Sequence, residues 1–142
     1  MNLIFTTGIN YLAVFVSAIA AMVVGSLWYS PSVFGKQWMA WSGMTMEKMN
    51  EAKAKGMTGK YIAAFVGALI TSCTIAHIIS YADAYSFLRG TFIGVLLAVG
   101  IGLPMIMASV LWENKPVKLL VLNTFQYIVS FGIMGAILGV WK

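Results

Sequence analysis

Charged side chains are scarce in this chain of 142 residues. Only 9% of its residues are Asp, Glu, Lys or Arg, whereas 61% are hydrophobic. A soluble domain carries about 25% charged residues and could not bury this much apolar side chain. The composition therefore excludes a soluble globular protein and predicts an integral membrane protein. The in/out alternation of membrane strands is also absent, which favours helices.

Residues that carry chemistry are equally scarce. Cys73 is the only cysteine and His77 the only histidine, so an intrachain disulfide is excluded and a metal site is not indicated. No Asp, Glu, Lys or Arg lies inside the long apolar segments, although proton relays and ion-coupled carriers usually need one there. The sequence offers no nucleophile–base pair and no phosphate-binding loop. We therefore predict a protein that is not an enzyme and has no cofactor.

What is present is a set of four long uncharged segments. A helix crosses the roughly 30 Å hydrocarbon core with about 20 residues. Four segments reach that length, and we predict one all-α domain over residues 1–142, a four-helix membrane bundle with spans at about 9–29, 61–81, 90–112 and 118–141.

Basic residues gather in two of the connections. Seven of the nine lie between spans one and two or between spans three and four, which leaves Arg89 and Lys142 on the opposite side. Lysine-rich connections stay on the cytoplasmic side. This rule predicts a bacterial inner-membrane protein with segments 30–60 and 113–118 in the cytoplasm and both termini outside. The same basic residues account for the net charge of +5, so a nucleic-acid partner is not needed to explain it. We therefore expect membrane lipids as partners and no nucleic acid.

Aromatic residues mark the cytoplasmic ends of the first and third spans. Tryptophan and tyrosine collect at the headgroup level of a bilayer. We predict an interfacial motif at that level, formed by Trp28, Tyr29, Pro31, Phe34, Gly35, Lys36, Trp38, Trp112 and Glu113.

Two further features are expected in these connections. Thr45 is a suitable N-cap for a short amphipathic helix that Gly56 would end. Glu113 could form an ion pair with Lys36 or with Lys115.

Small residues recur every four positions along the spans, as in Gly90, Gly94 and Ala98. This spacing lets membrane helices approach closely. Four helices have too few contacts with one another to bury all of these stripes. The stripes therefore favour packing against further chains. Pro104, within the third span, should kink that helix and leave the Gly100 carbonyl without its usual partner.

The fourth span carries a polar face formed by Asn123, Gln126, Tyr127 and Ser130. These groups need partners inside the bundle, and the Gly100 carbonyl and Ser109 are candidates. Two interpretations stay open: hydrogen bonds between helices, or a polar cavity formed together with Ser109 and open to the cytoplasm.

A second polar pair is expected at the outer end of the bundle. Asn10 and His77 lie at similar depth, where they could share a hydrogen bond with a structural role or a role in handling protons or ligands.

Four short segments of the sequence resemble a known family. Gly25-Ser-Leu-Trp-Tyr-Ser-Pro31 is followed by Phe34-Gly-Lys-Gln-Trp38, and Ala76-His77 and Met134-Gly-Ala-Ile-Leu-Gly-Val-Trp141 come later. Together they resemble an uncharacterised bacterial membrane family, domain-of-unknown-function family 1761. The resemblance covers nearly the whole chain. It implies a four-span inner-membrane protein and no particular activity.

Two functions follow as hypotheses. The first is a non-enzymatic packing or assembly protein that forms homo-oligomers or serves as an accessory subunit of a larger membrane complex. The alternative is a carrier or channel for a small neutral or apolar compound that uses the polar face of the fourth span. A membrane enzyme is the weakest hypothesis, because catalytic groups are lacking.

Overall fold

The computed structural model describes residues 8–142, and this part of the chain is all-α, as predicted. It contains seven α-helices, two of them separated by a π-helical segment at Ala98–Gly102. The α-helices are α1 (Tyr11–Trp28), α2 (Gly35–Ser42), α3 (Met46–Ala54), α4 (Thr58–Tyr81), α5 (Phe87–Leu97), α6 (Leu103–Trp112) and α7 (Val117–Val140).

Four helical runs are long and apolar enough to cross a membrane. They are α1, α4, the continuous run Phe87–Trp112 and α7. This confirms the predicted four-helix membrane bundle. α7 is the central helix, since it packs against α1, α4, α5 and α6, while α1 and α4 also pack against each other.

The densely packed core lies at the end of the bundle where α1 begins and α7 ends. Val14 of α1, Ile75 and Ile79 of α4, and Met134 and Leu138 of α7 are its main buried residues. The opposite end, where α1 ends and α4 and α7 begin, is the lysine-rich end. There the first turns of α4 and most of α6 are exposed. The helices are therefore held together at one end and spread apart at the other.

Glycines bring α5 and α7 into backbone contact. A Cβ atom added to Gly90 would overlap the Gly135 carbonyl, and one added to Gly94 would overlap the Phe131 carbonyl. Only residues without a side chain permit this approach. The small-residue stripes of these two helices are thus used inside the chain.

A buried serine serves a similar purpose between α1 and α4. Ser17 and Ser72 are completely buried. The Ser72 hydroxyl donates a hydrogen bond of 2.9 Å to the Val14 carbonyl. Since hydrocarbon offers no competing water, this bond helps to fix the contact between the two helices.

The disturbance expected at Pro104 takes the form of a π-helical segment. The Leu103 amide donates to the Ala98 carbonyl, five residues earlier, instead of to a carbonyl four residues earlier. π-bulges are a recognised way to accommodate a break in helical hydrogen bonding and often lie beside functional sites. Here the segment separates α5, which packs closely on α7, from the more exposed α6.

The connection between α1 and α4 contains two short helices. The predicted α3 is present, with the Thr45 hydroxyl accepting a hydrogen bond of 3.1 Å from the Lys48 amide and Gly56 at a φ of +91° shortly after it. The sequence did not reveal α2, whose eight residues are too few to show a helical period.

Candidate functional site

Two adjoining cavities occupy the space where the helices spread apart. The outer cavity, at the lysine-rich end, has a volume of about 1210 Å³. The inner cavity reaches deeper between α1, α4 and α7 and has a volume of about 670 Å³. Four residues line both of them, namely Ser26, Tyr29, Tyr61 and Tyr127. The pair forms one space that extends from the connecting helices to the middle of the bundle.

Tyr29 holds the elements around the outer cavity together. Its hydroxyl donates a hydrogen bond of 2.8 Å to Asn123 Oδ1 on α7. Its ring meets Trp38 of α2 edge-on, with 5.9 Å between the ring centroids. The end of α1 is thereby fixed to both α7 and α2.

Gly35 allows α2 to turn back beneath the cavity. Its amide donates a hydrogen bond of 2.8 Å to the Ser30 carbonyl. A Cβ atom at this buried position would overlap the Tyr29 and Ser30 backbone. The close approach explains why a glycine stands between Phe34 and Lys36 in the motif.

The inner cavity combines a polar wall with a wall of small residues. On α7, Gln126 Nε2 donates a hydrogen bond of 2.8 Å to the Ser130 hydroxyl, and both residues are buried. On α4, Ala64 and Gly67 line the cavity, and a Cβ atom at Gly67 would meet no atom within 4 Å. The space exists because α4 presents little side chain here.

The structure brings the five predicted cavity residues to this space. Asn123, Tyr127 and Ser109 line the outer cavity, and Gln126, Tyr127 and Ser130 line the inner one. The expected partners differ, however. Asn123 bonds to Tyr29 of α1 rather than to Ser109 or the Gly100 carbonyl.

Two parts of the site were not predicted. Tyr29 was assigned to the membrane interface, and Ala64 belongs to the small residues that were interpreted as helix-packing positions. One signal was available for Tyr29. It lies at the lysine-rich end of the first span, and Asn123 lies about two turns or less from the same end of the fourth span, so their side chains could reach each other.

Most of the chain matches one family model. The model described as protein of unknown function (DUF1761) matches residues 12–139. The chain belongs to this family. No match is found among curated proteins or among solved structures. The description of the family assigns no activity to its members.

In this DUF1761 chain the interfacial motif has two faces. Tyr29, Pro31, Gly35, Lys36 and Trp38 line the outer cavity. Other aromatic residues of the same segment point away from it and line a separate apolar groove against the start of α7, namely Trp28, Phe34 and Trp41.

The groove face is formed by aromatic side chains that contact one another and a lysine. The rings of Trp28 and Phe34 are 4.7 Å apart, and Lys118 Nζ lies 5.8 Å from the Trp41 ring centroid. Trp112 is 87% exposed, as expected for a residue whose ring meets lipid.

The ion pairs predicted for Glu113 are not formed among residues 8–142. Glu113 is exposed, and Lys115 Nζ instead donates to the Ser42 carbonyl at the end of α2. A lysine is well suited to this position, because the last carbonyls of a helix have no partner within the helix. The contact ties α2 to the turn before α7.

The two residues predicted to pair at the opposite end, Asn10 and His77, each form a hydrogen bond within their own helix. Asn10 Oδ1 accepts a hydrogen bond of 3.0 Å from the Ala13 amide and so caps α1. His77 Nδ1 lies 2.7 Å from the Cys73 carbonyl and must be the donor, since a carbonyl only accepts. Within residues 8–142 no hydrogen bond joins Asn10 to His77, and no cluster of three or more His, Cys, Asp or Glu residues could hold a metal ion.

Proposed function

We propose that this membrane protein binds a small, largely apolar compound in the two joined cavities and carries it between the bilayer and the lysine-rich side. One observation carries the proposal: the amides of Asn123 and Gln126, within a membrane span, border an open space. Binding sites for small molecules combine apolar walls with a few fixed polar groups. Polar groups within a span are costly, and they mark ligand pathways.

The use of small residues supports this proposal over simple packing. The glycines of α5 and α7 meet one another inside the chain, and Ser72 of α4 bonds to the Val14 carbonyl of α1. What is left along α4, Ala64 and Gly67, borders the inner cavity. The stripes that favoured assembly with further chains are thus partly occupied within the bundle.

The proposed activity is binding and transfer without chemical conversion. The polar groups deep in the cavities are amides and hydroxyls, which hydrogen-bond a neutral compound but form no nucleophile–base arrangement.

The lysine-rich end, with segments 30–60 and 113–118, is proposed to face the cytoplasm, because basic connections remain there.

A second candidate is assembly with another copy or with a larger membrane complex. It is favoured by the facing surfaces of α4 and α6: Tyr61 and Met105 line the same cavity from opposite sides and are 57% and 70% exposed. A helix of a partner could occupy the space between them. Blue-native electrophoresis of gently solubilised protein would then show a defined oligomer, whereas a monomer in lipid would contradict this candidate.

Photolabelling tests the binding proposal. The protein is placed in phosphatidylcholine nanodiscs with dodecanol that carries a diazirine and an alkyne, and labelled peptides are identified by mass spectrometry. We expect labelling of the α6 and α7 cavity residues that unlabelled dodecanol competes away. The double variant Asn123→Ala/Gln126→Ala should weaken this saturable labelling roughly fivefold to tenfold, because it removes two polar anchors of about 0.5–1.5 kcal/mol each.

Val129→Ala is the matched control, since Val129 lies on the same helix and lines neither cavity. Its labelling should equal that of the unaltered protein. Labelling of the cavity residues that cannot be competed away, at the level seen for lipid-facing Phe15, would overturn the proposal. Flux of the same dodecanol probe into proteoliposomes then separates a carrier from a binding protein.

A further inference from the structure

The mouth of the outer cavity has positive charge and no negative charge. Lys36 of α2 and Lys53 of α3 line it, and no Asp or Glu does so among the described residues. Glu47 and Glu51 are on α3 but outside this lining. Within residues 8–142, no carboxylate forms an ion pair with either lysine. Their ammonium groups are therefore available to a ligand at the cavity mouth.

The other lysines near this end have structural contacts. Lys115 Nζ donates to the Ser42 carbonyl, and Lys118 lies over the Trp41 ring. Both contacts attach α2 to the start of α7. Lys36 and Lys53 are exposed and make no comparable contact, so helix packing does not explain their position.

Below the lysines the cavity wall becomes apolar and flexible. Met39, Met46, Met49 and Met105 line the outer cavity, and Met22 and Met134 line the inner one. Methionine side chains are flexible and polarizable, and they adapt to ligands of varied shape. The lining extends along α7 from Asn123 to Met134, about 16 Å at the helical rise. This length is open to an extended apolar chain.

An apolar chain also has a route into this space. Met105 and Ile106 of α6 face Tyr61 of α4 across the outer cavity. Met105 and Tyr61 are largely exposed, at 70% and 57%, so they do not close the gap. In a bilayer this gap would face lipid, from which an amphiphile can enter tail first.

We propose that the ligand is an anionic amphiphile with a single apolar chain. Its charged head lies between Lys36 and Lys53, and its chain passes Tyr29 and Tyr127 into the inner cavity. The hydroxyl of a neutral compound such as dodecanol instead reaches the deeper amides of Asn123 and Gln126. The inference rests on the proposed binding function and specifies its ligand class. Lysines next to a membrane attract negative groups, and their long stems let the ammonium groups reach the head from the rim.

Three photoreactive probes of equal chain length test the head group: dodecanoate, dodecanol and dodecylamine, each with the same diazirine and alkyne, in phosphatidylcholine nanodiscs at about pH 8. We expect dodecanoate to saturate the cavity at a roughly tenfold lower concentration than dodecylamine. The variant Lys36→Glu/Lys53→Glu should weaken dodecanoate labelling about tenfold and strengthen dodecylamine labelling. Dodecanol labelling should stay unchanged, which also shows that the variant is folded.

The variant Lys48→Glu/Lys55→Glu is the matched control. It changes the net charge equally in the same connection, but neither residue lines the outer cavity. Its effect should be less than twofold. Equal effects of the two variants would attribute the preference to general surface charge and overturn the inference. Saturable dodecanol labelling with no head-group preference would overturn the inference alone, whereas the absence of saturable labelling by every probe would overturn the proposed function as well.

Discussion

Gly94→Ala should lower the stability of the bundle far more than the same change at Gly100 in the same span. The added Cβ would overlap the Phe131 carbonyl, so α5 and α7 would have to move apart along their closest contact. Overpacking of this kind costs about 1–3 kcal/mol, and we expect the upper part of that range because backbone atoms cannot rotate away. Thermal unfolding of the protein in nanodiscs should show a Tm lower by roughly 10 °C.

Gly100→Ala is the control for this change. Gly100 lies six residues further along the same helical run, and a Cβ atom there would meet nothing within 4 Å. Its Tm should change by no more than about 2 °C. Equal losses of stability in the two variants would show that α5 and α7 are not held by this backbone contact.

Ala64→Phe should abolish most of the saturable dodecanol labelling of the inner cavity. Ala64 lines that cavity on the α4 side, so the added ring would take the place of ligand atoms. Because the compound comes from lipid and not from water, the loss is steric. Overpacking costs about 1–3 kcal/mol, which corresponds to a loss of affinity of roughly fivefold to hundredfold. The measurement is the concentration of unlabelled dodecanol that halves the labelling of α7 residues 126–134.

Ala63→Phe provides the matched comparison. Ala63 is the preceding residue of α4; it is exposed and lines neither cavity. This variant should label like the unaltered protein. If Ala64→Phe also labelled like the unaltered protein, the compound would not enter the inner cavity, and the proposed path along α7 would be wrong.

The fold could be predicted from the sequence because hydrocarbon imposes few solutions. Length and lack of charge are enough to identify a spanning helix, and the caps at Thr45 and Gly56 predicted α3. The π-helical segment before Pro104 could not be predicted in the same way. A proline signals a disturbed helix, but the neighbouring helix decides how the backbone adjusts, and here α5 is fixed on α7 by Gly90 and Gly94.

Apart from Ser109 of α6, the candidate site was predictable only on α7. Helical spacing placed Asn123, Gln126 and Ser130 on a common face of α7, because that depends on local geometry. Their partners depend on how the helices are arranged around α7, which the sequence alone does not determine. Small residues illustrate the limit: Gly135 allows contact with α5, whereas Gly67 leaves space open, although both occur in similar stripes.

A density map of the protein in lipid nanodiscs, obtained by electron cryomicroscopy with a rigid binding partner to add mass, tests the main proposal most directly. We expect elongated non-protein density between α4 and α6 that begins near Lys36 and Lys53 and continues past Tyr29 toward Gln126. A helix from a second copy filling that space, or α4 and α6 closed against each other with no space between them, would contradict it.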